Sequence, residues 1–129
     1  MDTIAHPTIA NHAIANDTEA VVRRHLQTFI EQKGVDAIAS DYADDAVLYG
    51  EAGVYRGKPQ IRGFFQEFIA SLPPHAIPQF ALRSLRVDGE LAYITWSAGR
   101  ERPLGTDTFL VRNGKIVRQT YAMHVVPAA

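Results

Sequence analysis

A carboxylate on the apolar face of a β-strand is an unusual placement, and the sequence offers one at Asp107. In the stretch Thr106 to Arg112, Phe109 and Val111 belong to a core by their chemistry. Side chains alternate along a strand, so parity sends Asp107 inward with them. Such a group is costly unless it is hydrogen-bonded, protonated or wetted by a cavity. Burial would raise its pKa, which suits a general base or a neutral hydrogen-bond donor. The plainer expectation is a structural carboxylate that accepts bonds from Thr106, Thr108 or a backbone N–H near the strand end.

Other reactive side chains are less telling. Asp41, Asp44 and Asp45 form an acidic cluster where a helix gives way to a strand, which suits turn and cap contacts. His6 and His12 have no third metal ligand nearby. His124 falls on the opposite strand face from Tyr121 and Met123, as a surface or interface residue would. His75 follows Pro74 in a loop. There is no Gly-rich phosphate loop, no H-E-x-x-H and no G-x-S-x-G. Nucleotide cofactors and hydrolase triads therefore have no support, and no cofactor or metal is expected.

The elements that must position Asp107 follow from periodicity. Residues 1–15 show neither stripe nor alternation and are expected to form a mobile tail or a short arm, with the domain over 16–129. Asn16 and Glu19 resemble a capping box that opens a helix carrying Val22, Leu26, Phe29 and Ile30, which Gly34 stops. A short second helix places Val35, Ile38, Ala39 and Tyr42 on one face. Val47–Tyr49 and Val54–Arg56 then flank Gly50-Glu51-Ala52-Gly53 as a hairpin. Gly57-Lys58-Pro59 opens a third helix whose stripe is Ile61, Phe64, Phe65, Phe68, Ile69 and Leu72, ended by Pro73-Pro74. Strands follow over 80–87, 91–99, 106–112 and 115–126, with turns at Asp88-Gly89 and Asn113-Gly114. Along them Ala92, Ile94, Trp96 and Ala98 point inward, as do Val117, Gln119, Tyr121 and Met123, leaving Ile116 outside. The fold class is α+β, with helices packed on one face of an antiparallel sheet.

Composition narrows the partners. The 129 residues suit one domain. The absence of cysteine excludes a disulfide scaffold, a thiolate metal site and a cysteine nucleophile. Thirteen basic against fourteen acidic side chains leave no excess to neutralise phosphates, so no nucleic-acid partner is expected. No run approaches the roughly 20 apolar residues of a membrane helix, and the first fifteen residues lack a signal-peptide pattern. A cytoplasmic protein without membrane association is expected.

The stretches VDAIASDYADDAVLYG (35–50), VYRGKPQIRGFF (54–65) and DTFLVRNGKI (107–116) together resemble the nuclear transport factor 2-like superfamily, in its SnoaL-like and ketosteroid-isomerase-like branch. The resemblance covers roughly residues 17–126. It implies a cone: a curved antiparallel sheet wrapped around three N-terminal helices, a pocket at the open end, and a homodimer across the sheet. It also implies that Gly50 stands where ketosteroid isomerases carry their base. Leu26 stands where they carry a tyrosine donor, and Asp107 where they carry a protonated aspartate. Glu51, in the hairpin turn, is poorly placed to replace the base, so steroid isomerisation is not expected. A polyketide-cyclase-like role needs one acidic residue to move a proton at carbon, and Asp107 could fill it alone. The expected ligand is a small apolar or amphipathic molecule. Phe64, Phe68, Trp96 and Met123 would supply walls, and Tyr49, Gln119 and Tyr121 polar contacts. The alternative is a non-catalytic binding or dimerisation module with a structural Asp107.

Overall fold

The computed structural model describes residues 5–127, with side chains described from residue 12. Helix α1 (Ala5–Ile30) is continuous. The expected start at Asn16 is thus corrected. The alanine-rich stretch before it is a good helix former and carries the helix through Asn16, which lies exposed within it. Glu19 pairs with Arg23 one turn on (2.7 Å) instead of closing a capping box. The arm expected over 1–15 is helical from Ala5. His6 falls outside the described side chains, and His12 is exposed.

One helical face, Thr18, Val21, Val22 and His25, is buried. Thr18 docks it: its hydroxyl donates to a backbone carbonyl, lying 2.9 Å from that of Ile14 within the helix and 2.7 Å from that of Gly89 in the Asp88-Gly89 turn. The helix stops where Gln32 turns left-handed (φ 54°), ahead of the glycine expected to stop it. Gly34 (φ 99°) instead precedes α2 (Val35–Ala39).

Tyr42 is not on α2. It opens strand β1 (Tyr42–Tyr49), because the Ile116 N–H captures the Asp41 carbonyl (2.9 Å) and draws the chain into the sheet. Strands β2 (Val54–Arg56), β3 (Phe80–Asp88), β4 (Leu91–Ala98), β5 (Leu104–Arg112) and β6 (Lys115–His124) complete one curved, unclosed sheet, ordered β2-β1-β6-β5-β4-β3. The sheet is mixed: β1 runs parallel to β6, whereas the other neighbours are antiparallel as expected.

Helix α3 (Gly57–Ser71) buries Ile61 and Phe65, with Phe64 and Phe68 beside them half-buried, and Ile77–Gln79 form a short 3-10 turn before β3. Tyr42, Ile38, Leu48, Ile61, Ile94, Phe109 and Ile116 lose essentially all solvent contact where helices and sheet meet. Each such apolar side chain contributes about 1.5–3 kcal/mol of burial free energy. Among the described residues no helix is long and apolar enough to cross a membrane.

Register fixes what faces the helices. Three inward rows cross the central strands: Trp96, Gly105 and Met123; then Ile94, Asp107 and Tyr121; then Ala92, Phe109 and Gln119. On β6 an expected parity fails. A bulge lets Val111 pair with Ile116 while Leu110 pairs with Arg118, so Val117 is the extra residue and Ile116 is the buried one.

Candidate active site

Aromatic side chains of α1 and α3 meet the inner rows of the sheet without filling the space between. The result is a cleft of about 640 Å³, its open mouth included. Its wall is mostly apolar: Leu26 and Phe29 from α1, Phe64 and Phe68 from α3, Trp96 and Phe109 from the sheet. Phe64 and Phe68 lie parallel to within 8°, and the Tyr121 ring meets both edge-on. A predominantly apolar cleft with a few convergent polar groups is the usual form of a small-molecule site.

Asp107 is the only carboxylate on that wall among the described residues, and it is 7% exposed. Its Oδ1 accepts the indole N–H of Trp96 (2.7 Å) and its Oδ2 the amide of Gln119 (2.7 Å). Burial pushes the carboxyl up from 3.8 to about 7, and these two hydrogen bonds hold it from rising further. Each carboxylate oxygen has a second lone pair, so both donors can remain while a proton arrives from the cleft.

Beyond Gln119 the hydrogen bonding continues through Tyr42 to His25, which itself lines the cleft. The Tyr42 hydroxyl donates to Gln119 Oε1, and the same hydroxyl lies 3.4 Å from His25 Nε2. His25 Nδ1 meets Asp41 Oδ2 at 3.2 Å, and Arg24 Nε donates to Asp41 Oδ1 at 3.0 Å. Burial pushes Asp41 up, but His25 and Arg24 together outweigh it and hold this carboxyl below its ordinary range. Tyr42 is pushed well above the ordinary phenol range, first by burial and then by the charges of Asp107 and Asp41. The run therefore starts at a half-exposed arginine and ends on the buried carboxylate.

Six of the residues expected from sequence come together here: Phe64, Phe68, Trp96, Asp107, Gln119 and Tyr121. Tyr49 does not. It alternates with buried Leu48 and stands 39% exposed on the outer face of the sheet, beside Thr120. Met123 packs against the core but off the cleft wall, and its N–H donates to Glu51 Oε1 (3.0 Å). That bond also occupies the exposed Glu51, in keeping with its exclusion as a base. His75 is exposed and lies 3.6 Å from Glu101, outside the lining. Asp44 is exposed beside Lys58, whereas Asp41 is buried in the polar run and is more than a turn residue. His124 is exposed, as expected.

Three residues were missed: His25, Tyr42 and Arg102. His25 continues the spacing of Thr18, Val21 and Val22 along one helical face, a signal visible once polar residues are allowed on the stripe. Arg102 sits in a turn, where no periodicity operates. Among the described residues no group of three His, Asp or Glu side chains could hold a metal.

The chain at 129 residues matches the SnoaL-like domain over residues 22–119. No curated protein matches it. Solved structures share its fold. An NTF-2 like protein of unknown function from Burkholderia xenovorans LB400 superposes with a TM-score of 0.70 at 21% identity, over 88% of each chain. A candidate ketosteroid isomerase from Kribbella flavida DSM 17836 gives 0.68 at 20% identity, over 89% of this chain and 83% of that one. A candidate polyketide cyclase from Sinorhizobium meliloti gives 0.65 at 18% identity, over 80% of this chain and 94% of that one. At these identities the likeness establishes the architecture, while activity has to be argued from the site. The sequence match spans most of the chain, and the element order, curved sheet and open cleft agree with it: the chain belongs to the SnoaL-like domain family, on the nuclear transport factor 2-like fold.

Proposed function

We propose that this is a cytoplasmic small-molecule enzyme of isomerase or cyclase type, in which Asp107 moves a proton on an apolar, carbonyl-bearing ligand. One observation carries the reading: a lone carboxylate in an apolar cleft, with its pKa raised to about 7 by burial. Near neutral pH such a group is divided between base and acid, which suits proton removal at one carbon and return at another. In the first step the C–H bond next to the carbonyl breaks, Asp107 takes the proton, and the electron pair spreads onto the carbonyl oxygen. Returning the proton to a different atom completes an isomerisation. Tyr121 lines the same cleft, and burial, then the charges of Asp107 and Glu51, push its phenol up. It keeps its proton at neutral pH and can donate to the developing oxyanion. With Leu26 and Gly50 in place of a tyrosine and a base, the proposal does not extend to steroid isomerisation.

The test is deuterium wash-in from D2O next to the carbonyl of a simple apolar ketone, 4-phenyl-2-butanone. Wild type is expected to accelerate the exchange and Asp107→Asn to lose that acceleration while keeping its fold. Equal exchange by the two proteins would remove Asp107 from catalysis.

A second reading has its own support. Both Asp107 oxygens already accept hydrogen bonds, as a structural carboxylate would. It then anchors a binding module, and an NMR titration would show no ligand-sensitive shift at its carboxyl carbon. In either case the exposed Tyr49, Val54, Leu91 and Tyr93 fit a homodimer contact on the sheet. Sedimentation showing only monomer across micromolar concentrations would eliminate that contact.

A further inference from the structure

Arg102 lies in the turn between β4 and β5, and its backbone is fixed there. Its N–H donates to the Gly99 carbonyl (3.2 Å) and its own carbonyl accepts the Ala98 N–H (2.8 Å). The next residue back is held too, since the Glu101 carbonyl accepts the Val126 N–H (2.8 Å). From this pinned turn the Arg102 side chain runs along the cleft wall, only 11% exposed. Its Nε is the single buried side-chain nitrogen or oxygen without a hydrogen-bond partner among the described residues. Asp107, Gln119, Tyr42 and His25 all have partners.

The charge of Arg102 is also poorly met. Its nearest carboxylate oxygen, Glu101 Oε1, is 3.8 Å from Nη1 and is shared with His75 Nε2 at 3.6 Å. Glu101 thus answers one corner of the guanidinium from the rim. The Nε–H is buried and left without a partner. A guanidinium presents its N–H groups as a planar fork that matches the two oxygens of a carboxylate. Tyr121, on the same cleft wall, feels the charges of both Asp107 and Arg102.

We infer that Arg102 anchors a carboxylate of the ligand, so the cleft takes an apolar organic acid whose hydrocarbon body lies against Phe64 and Phe68. This rests on the pocket reading above and adds the class of molecule to it. The acid group sits at the β4–β5 turn, and the body leads from there toward Asp107. A neutral ketone fills the same cleft without using the fork.

Trp96 is the only tryptophan of the chain and lines the cleft, so its emission reports occupancy. The probes are 4-cyclohexylbutanoate and its methyl ester, which share a body and differ in charge. At pH 8 wild type is expected to bind the acid at least tenfold more tightly than the ester. Arg102→Met should lose that preference, weakening the acid about tenfold and the ester less than twofold. Arg102→Lys, which keeps the charge and loses the fork, should fall between. It serves as the deciding variant if the methionine protein fails to fold. Equal binding of acid and ester by wild type, or an unchanged preference in the variants, overturns the assignment of Arg102 and leaves the pocket standing. No emission response to either probe overturns the pocket, and the anchor with it.

Discussion

Replacing Asp107 with asparagine removes one ionisable proton and little else, so its effect on stability can be worked out as a function of pH. The folded carboxyl titrates near 7, and the unfolded one near the ordinary aspartate value of 3.8. The folded protein therefore binds this proton more tightly than the unfolded chain does. Stability from this group is fully present below about pH 4 and is lost as pH rises through about 7. At pH 5 the folded carboxyl is still protonated, two decades below its titration point, while the unfolded one has ionised. At about 1.36 kcal/mol per decade, roughly 3 kcal/mol present at pH 5 is gone by pH 8.

The variant has no such term. Its new carbonyl can accept the Trp96 N–H, but its NH2 would face the Gln119 NH2. Gln119 must turn over, so that its carbonyl accepts from the new amide and its NH2 goes to Tyr42. Tyr42 then gives its proton to His25 Nε2, and the run is satisfied in reverse. Urea unfolding at pH 5 and pH 8 measures the outcome. The stability of Asp107→Asn relative to wild type should improve by about 3 kcal/mol across that interval. Parallel pH profiles for the two proteins would refute a carboxyl raised by burial.

Other perturbations probe the supports of Asp107. Gln119→Leu removes a hydrogen bond that lowers the Asp107 pKa and leaves the Tyr42 hydroxyl only its longer contact with His25, so a carbon-13 titration should place the carboxyl above 7, with about 1–3 kcal/mol of stability lost. Gly105→Ala would set a Cβ against Trp96 Cε2, far inside van der Waals contact; the ring must move, at about 1–3 kcal/mol, and its emission should shift as its N–H leaves Asp107. Thr18→Val removes the hydroxyl that reaches the Gly89 carbonyl, so hydrogen exchange in the β3–β4 turn should quicken, with about 1 kcal/mol lost.

How much of this was legible beforehand depended on where a regular period ran uninterrupted. Between Gly105 and Leu110 strand β5 has no irregularity, so parity from Phe109 reached Asp107 correctly. The same count on β6 located Gln119 and Tyr121 but exchanged Ile116 and Val117, because a bulge adds one residue that alternation cannot see. Tyr49 reads as inward despite neighbouring Leu48, since two adjacent apolar residues on an internal strand both look buried. Tyr42 fits a helical stripe as well as a strand; only its capture next to β6 decides. Helix α1 ran past Asn16 because a capping residue also tolerates an exposed interior position when good helix formers precede it. Arg102 depends on a turn whose path is set by tertiary hydrogen bonds, and nothing local specifies it.

The polar run from Arg24 to Asp107 separates the place where this site can be altered from the place where it acts. Arg24 is half in water, lies outside the cleft lining, and still holds one end of a continuous series of oriented bonds. Substitutions there, or an ion binding beside it, would change the field at His25 and the orientation of Tyr42 and Gln119 while the cleft wall kept its shape. A lineage could therefore adjust the acidity of its buried carboxylate through surface mutations, conserving the pocket and varying its working pH. Among relatives of similar pocket shape, the residue opposite Asp41 would then record differences in chemistry that the cleft itself does not display.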